Sequence, residues 1–304
     1  MNKKNYKIYL IVIGVLLAGF VAIQLIYDKP GWIWVFLASG AAYLFFKIKL
    51  NAPIQSFANK FNMLVDYDLK ISEAIEIAKE HAKEAPTKNL EALYQVYLGM
   101  GQYYKGNYTE AIKTFNLIDL NRLNVVYHIL IFAHIAYASY ELGDWDTLDM
   151  TIERLHNLEP RVSKRYKGIL FGYLEVLEST RDMEEDPETY KEIIEKHFQK
   201  DDGYIATKLN YHYRMALYYK VKNFTQEMDE HLAFVIANGG EHHSKQQALK
   251  FFQDSVDPDN YIYDPENDEN DDLLPGEKEN EEPLTLEGDV TSEEISDEDD
   301  EKTE

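Results

Sequence analysis

Gly106-Asn107-Tyr108-Thr109-Glu110-Ala111 and Gly143-Asp144-Trp145-Asp146-Thr147-Leu148 carry one local chemistry twice, 37 residues apart. Glycine takes the left-handed conformation that ends one helix, Asn or Asp caps the next, and an aromatic packs between them. Upstream, Leu98-Gly99 and Ile135-Ala136 place a small residue where two helices approach closely. Phe115 and Ile152, nine residues after each glycine, fall on the core face of the second helix, and Pro160 stops the second copy.

Stepping by the same interval predicts weaker copies. Backwards, Ala74 and Pro86 take the positions of the small residue and the terminal proline, with Leu69 in place of the turn glycine. Forwards, Lys222-Asn223-Phe224-Thr225 repeats the turn without glycine. Between lies room for a divergent unit over 161–200, broken at Glu184-Glu185-Asp186-Pro187. About five units result. Small residue, glycine, aromatic, Ala, Phe and terminal proline in this order resemble the tetratricopeptide repeat, and the resemblance implies a right-handed helical-repeat solenoid built from helix-turn-helix units.

Ile8 to Tyr27 is a nearly unbroken apolar run whose twenty residues span roughly 30 Å. After a tight turn at Asp28-Lys29-Pro30-Gly31, a second run from Trp32 to Phe46 reaches Leu50 if Lys47 and Lys49 snorkel. Residues 1–50 are therefore expected to form a transmembrane hairpin that enters the lipid bilayer through residues 8–50. Gly14, Ala18 and Ala22, with Ala38 and Ala42, offer small-residue faces for packing. Lys3, Lys4 and Lys7 precede the first span and Lys47, Lys49 and Lys60 follow the second, so both termini are expected in the cytoplasm, at a bacterial cytoplasmic membrane. A secretory signal fits less well, since no small-residue cleavage site is clear and a second span follows.

Residues 51–255 read as helix after helix, so the expected class is all-α. The last helix, Glu241 to Gln253 after Gly239-Gly240, has the polar content of a terminal cap. From Asp257 onward 22 acidic residues face two lysines, which accounts for 20 of the 23 net negative charges. Residues 256–304 are expected to be a disordered acidic tail. The absence of cysteine excludes disulfides and thiolate metal sites.

No enzyme, cofactor or metal is expected. Adjacent His242 and His243 diverge on a helix, Glu227 and His231 lack a third ligand, and His128, His134 and His212 sit in apolar stretches suited to structural histidines. The tail acids lack the glycine and terminal glutamate of a calcium loop. Nor is a nucleic-acid partner expected.

By the resemblance, first helices line a groove that holds a protein or peptide segment. There the sequence places Tyr67, Tyr97, Tyr103, Tyr104, Tyr137, Tyr140, Tyr213 and Tyr219, large amphipathic contacts with little rotamer entropy to lose. The carboxylate clamp of chaperone-binding members is missing: Val96, Met100, Tyr97 and Ala133 occupy those faces. The expected function is a membrane-anchored, cytosol-facing scaffold. The alternative is an electrostatic regulator whose acidic tail engages a basic partner or docks on Arg161, Lys164, Arg165 and Lys167 to autoinhibit the repeats.

Overall fold

A computed structural model describes residues 3–26, 32–199 and 203–251; the expected acidic tail and the turn between the two apolar runs lie outside them. Every regular element among the described residues is helical. Helix α1 covers Lys3–Ile26 and α2 covers Trp32–Asn62, which closes in a π turn at Met63–Tyr67. There follow α3 (Ile71–Glu84), α4 (Lys88–Tyr104), α5 (Tyr108–Asn116), α6 (Val125–Leu142), α7 (Trp145–His156) and α8 (Lys167–Arg181). The order ends with α9 (Pro187–Phe198), α10 (Ile205–Val221), α11 (Thr225–Asn238) and α12 (His243–Phe251).

The boundary expected at residue 50 falls inside a helix. Apolar Trp32 and buried Phe61 belong to the same 31-residue α2, and only Pro53 interrupts its backbone donors. In α1, the window Tyr6–Ile23 has mean hydropathy 2.3 and no residue of it is buried. It is long and apolar enough to cross a bilayer by composition. Val125–Leu142 passes the same test, but 72% of it is buried: it is the central core helix. The small residues of α1 are not its packing face. Gly14, Ala18 and Ala22 are exposed and a Cβ added at Gly14 meets nothing within 4 Å, whereas Ile13, Leu17 and Phe20 are half-buried. Ala38 and Ala42 lie outside the described side chains.

The repeated turns share one backbone solution. Gly106 (φ 85°), Gly143 (φ 70°) and Asn223 (φ 60°) are left-handed, and the next N–H returns to the carbonyl five residues back: Asn107 to Gln102 and Phe224 to Tyr219 at 2.9 Å, Asp144 to Ser139 at 2.9 Å. Leu69 stands where glycine is missing and still adopts φ 50°. There the π turn widens the bond by one residue, from Lys70 N–H to Leu64 O at 2.8 Å. The α8–α9 connection lacks the left-handed residue and is held by Asp186 capping Thr189 N–H at 3.2 Å. Asp144 caps Thr147 N–H at 3.1 Å, but Asn107 makes no side-chain cap. Tyr108 is buried between its helices as expected, while Trp145 is exposed, edge-on to Tyr140. Pro160 stands in a separate 3-10 turn after α7 has ended at His156.

Gly99 marks a close helix approach: a Cβ there falls 2.5 Å from the Phe115 ring. Ala136, Ala111, Leu148 and Ile152 are buried at matching positions.

Alternate helices run parallel. Phe57 of α2 packs on Tyr94 and Tyr97 of α4 at 4.8 and 5.1 Å, and Phe61, one turn on, packs on Tyr97 at 5.0 Å and lies beside Gly101. Antiparallel α3 fills the angle, with His81 against Phe57 and Ile75 against Gly101. Tyr127 of α6 lies near Tyr97 of α4 and Tyr166 before α8, while Tyr137 packs on Tyr103 and Tyr173. The stack then returns to its start: α10 packs on the π turn, with Tyr204 4.7 Å from Tyr67.

Candidate functional site

Helix α12 decides what the inner face of α4, α6 and α10 can do, because it fills that face. Gly239 and left-handed Gly240 bring the chain against Leu69, whose carbonyl accepts Glu241 N–H at 3.3 Å. The Glu241 carboxylate accepts Ser72 N–H at 2.7 Å, capping α3, and pairs with Lys105 at 3.0 Å. His242, His243, Ser244, Gln247 and Ala248 are then buried. The last helix, expected as a terminal cap, is over His243–Phe251 a plug. Its buried face is polar because its partners are polar.

Those partners include half of the predicted tyrosines. Tyr103 sits at the centre, its ring 4.8 Å from His243, 5.3 Å from His134, 5.4 Å from Tyr104 and 6.2 Å from Tyr137. Tyr213 approaches His243 from α10 and Tyr104 approaches His242. Gln247 Nε2 donates to the Tyr108 hydroxyl at 3.0 Å. The same hydroxyl pairs with His243 Nδ1 at 2.9 Å and also hydrogen-bonds Glu141.

The other predicted positions separate. Tyr97 faces α2 rather than α12. Tyr219 stacks on His231 between α10 and α11, Tyr67 is half-exposed beside Tyr204, and half-buried Tyr140 lies at the rim. Tyr108, the aromatic of the first repeated turn, and Glu141, which the turn spacing sets beside Tyr140, complete the site together with Asn210 and Arg214, which spacing does not suggest.

Arg214 is a buried cation. Its Nη1 donates to Thr180 Oγ1 at 3.2 Å, and its guanidinium lies over the Tyr137 and Phe198 rings, 5.1 Å from each. Burial opposes its charge, but the surrounding tyrosines and Glu141 hold its pKa above the ordinary value. Burial pushes Glu141 up to about 7, against the pull of Arg214 and a long 3.5 Å hydrogen bond from Tyr213. Burial pushes His242 down to about 3 and His243 well below the usual range, the latter also because His242 and Arg214 are close.

Arg214 Nε, Tyr137 Oη and His243 Nε2 have no protein hydrogen-bond partner and line, with Glu141, a cavity of about 10 Å³. That is room for about one water molecule, not for a metabolite. His128 and His134 are structural: the first bonds Leu120 O at 2.8 Å, the second Leu130 O at 2.8 Å. His212 pairs with His231, Nδ1 to Nδ1 at 2.8 Å, and burial holds them at about 3 and 4. Glu227 is exposed, apart from that pair.

Arg161, Lys164 and Arg165 are exposed on the segment before α8, and Lys167 is tied to Glu159 at 3.1 Å. What docks there from the tail lies outside the described residues. No protein-family model matches the chain, and comparison with curated proteins and with solved structures finds no match.

Proposed function

We propose that this chain is a membrane-anchored, non-enzymatic scaffold of the tetratricopeptide type, held by a hairpin of α1 and the apolar half of α2. Its repeats and both termini face the cytosol at a bacterial cytoplasmic membrane. The inner face of α4, α6 and α10 binds a helical protein segment in place of α12. The observation that carries this reading is α12 itself, a helix already seated on that face through His243, Gln247 and Ala248. An aromatic wall with hydrogen-bonding hydroxyls accepts an amphipathic helix, and the two-glycine joint at Gly239-Gly240 lets the resident helix leave.

The test uses the full chain in detergent. His243→Glu with Ala248→Arg places two charges on the buried face of α12 and unseats it. A fluorescent peptide of residues 239–251 should then bind at least tenfold tighter than to the wild type, and adding Tyr103→Ala should remove the gain. A folded double variant that binds the peptide no better than wild type overturns the reading.

A further inference from the structure

The continuity of α2 fixes which end of the helical body faces the bilayer. Because α2, α4, α6 and α8 run parallel, their N-terminal ends and the connections before them lie on the side from which α2 arrives. Lys88, six residues before Tyr94, stands about 9 Å nearer the apolar half of α2 than the Phe57 level does. The repeated turns point the other way.

Charge follows that division. The far turns carry Asp144, Asp146 and the Glu184-Glu185-Asp186 run. On the near side, the segment before α8 presents Arg161, Lys164 and Arg165. Lys88 and Arg122 on this side are occupied by Glu91 and Asp119, at 2.9 and 3.0 Å, but the three cations before α8 have no ion pair among the described residues. Buried Val162 and Tyr166 fix their backbone, and Leu117, 80% exposed, stands on the same end. Exposed guanidinium and ammonium groups on a held backbone, Arg165 lying over the Tyr166 ring at 5.4 Å, at an end that also carries an exposed leucine, match phosphate headgroups over acyl chains.

We propose that Arg161, Lys164 and Arg165 form a surface that holds the body down on anionic phospholipid headgroups. This rests on the anchoring reading above, and it assigns the cations to lipid rather than to the acidic tail.

The chain has no cysteine, so Ser163→Cys and Glu184→Cys place single donor dyes at the two ends. Each full chain is reconstituted in nanodiscs of phosphatidylcholine, with or without phosphatidylglycerol, carrying a headgroup acceptor. Energy transfer from position 163 should exceed that from 184, rise at least twofold in efficiency with phosphatidylglycerol, and fall back with salt or in the variant Arg161→Glu, Lys164→Glu, Arg165→Glu. Transfer at 163 that ignores phosphatidylglycerol and the triple reversal overturns the proposal. So does a lipid response that emerges only after removal of residues 257–304, which assigns the cations to the tail. A chain that fails to enter nanodiscs, or that brings 184 nearer than 163, sinks the anchoring reading itself.

Discussion

Burial holds His212, His231 and His242 neutral, with pKa values at or below about 4 where a free imidazole has about 6.5, and pushes His243 well below the usual range. Between those values the unfolded chain binds more protons than the folded one, so stability is full above about pH 6.5 and is lost as pH falls. At pH 5 each of His212, His231 and His242 removes about 2 kcal/mol, and His243 acts in the same direction. Glu141 works in the opposite sense: its folded pKa is raised, so its burial costs least at low pH, and it returns about 2 kcal/mol between pH 7.5 and 5. The net expectation from His212, His231, His242 and Glu141 is a loss of about 4 kcal/mol on acidification, approaching the whole stability of many domains. Thermal melts of the detergent-solubilised chain from pH 7.5 to 5 check it; a melting temperature that stays level shows that these imidazoles titrate freely. Two glycines separate backbone from packing at the same scale. Gly143→Ala meets nothing within 4 Å and should cost only the left-handed strain, about 1–2 kcal/mol. Gly99→Ala drives a methyl into the Phe115 ring and should cost about 1–3 kcal/mol, recovered in part by Phe115→Leu. Urea unfolding of the three variants distinguishes the two causes.

Glu241 ties one helix to another across the chain, since its carboxylate caps α3 and neutralises Lys105. Glu241→Ala should cost about 1 kcal/mol and raise amide exchange at Ser72 and the first turn of α3 while leaving α7 and α8 unchanged. Uniformly raised exchange would mean global loosening instead. At this scale the sequence is uneven as a guide. The turns at 69, 106 and 143 are legible from their 37-residue interval even where leucine replaces glycine, because a helix-ending bond demands a left-handed residue at that point. At 222–225 the turn was legible but its register was one residue off: Asn223, aligned with the capping Asn107, takes the left-handed place of the glycine instead, a conformation asparagine tolerates well. The plug was not. His242-His243-Ser244-Lys245-Gln246-Gln247 reads as a solvated face by composition, and it is buried only because Tyr108, 135 residues earlier, supplies a hydroxyl to His243. Arg214 escaped for the same reason: its partners lie on other helices at no fixed spacing. The tyrosines of α4, α6 and α10 were visible as a class, but Tyr97 and Tyr219 turn to neighbouring helices, a choice set by helix rotation that composition does not encode.

The whole molecule combines an exposed apolar α1, a helix α2 shared between the apolar region and the body, and a stack of helix pairs closed by its last element. Orientation is checked in intact cells, where the absence of native cysteine gives a clean background. A cysteine at Lys29 should react with a membrane-impermeant thiol reagent and one at Ser255 should not; the opposite labelling reverses the compartment. The closure of the stack also has a history. Tyr108 is synthesised 135 residues before His243, its hydrogen-bond partner. At about 5–20 residues per second, that interval is about 7–27 s. Once α6 is made, the part of the aromatic wall on α4 and α6 has nothing of the chain's own to cover it until α12 follows. On the proposed scaffold reading, a partner segment present at the ribosome would meet no competitor, whereas one arriving later would wait for the resident helix to leave. Order of synthesis would then join affinity in setting which helix occupies the face.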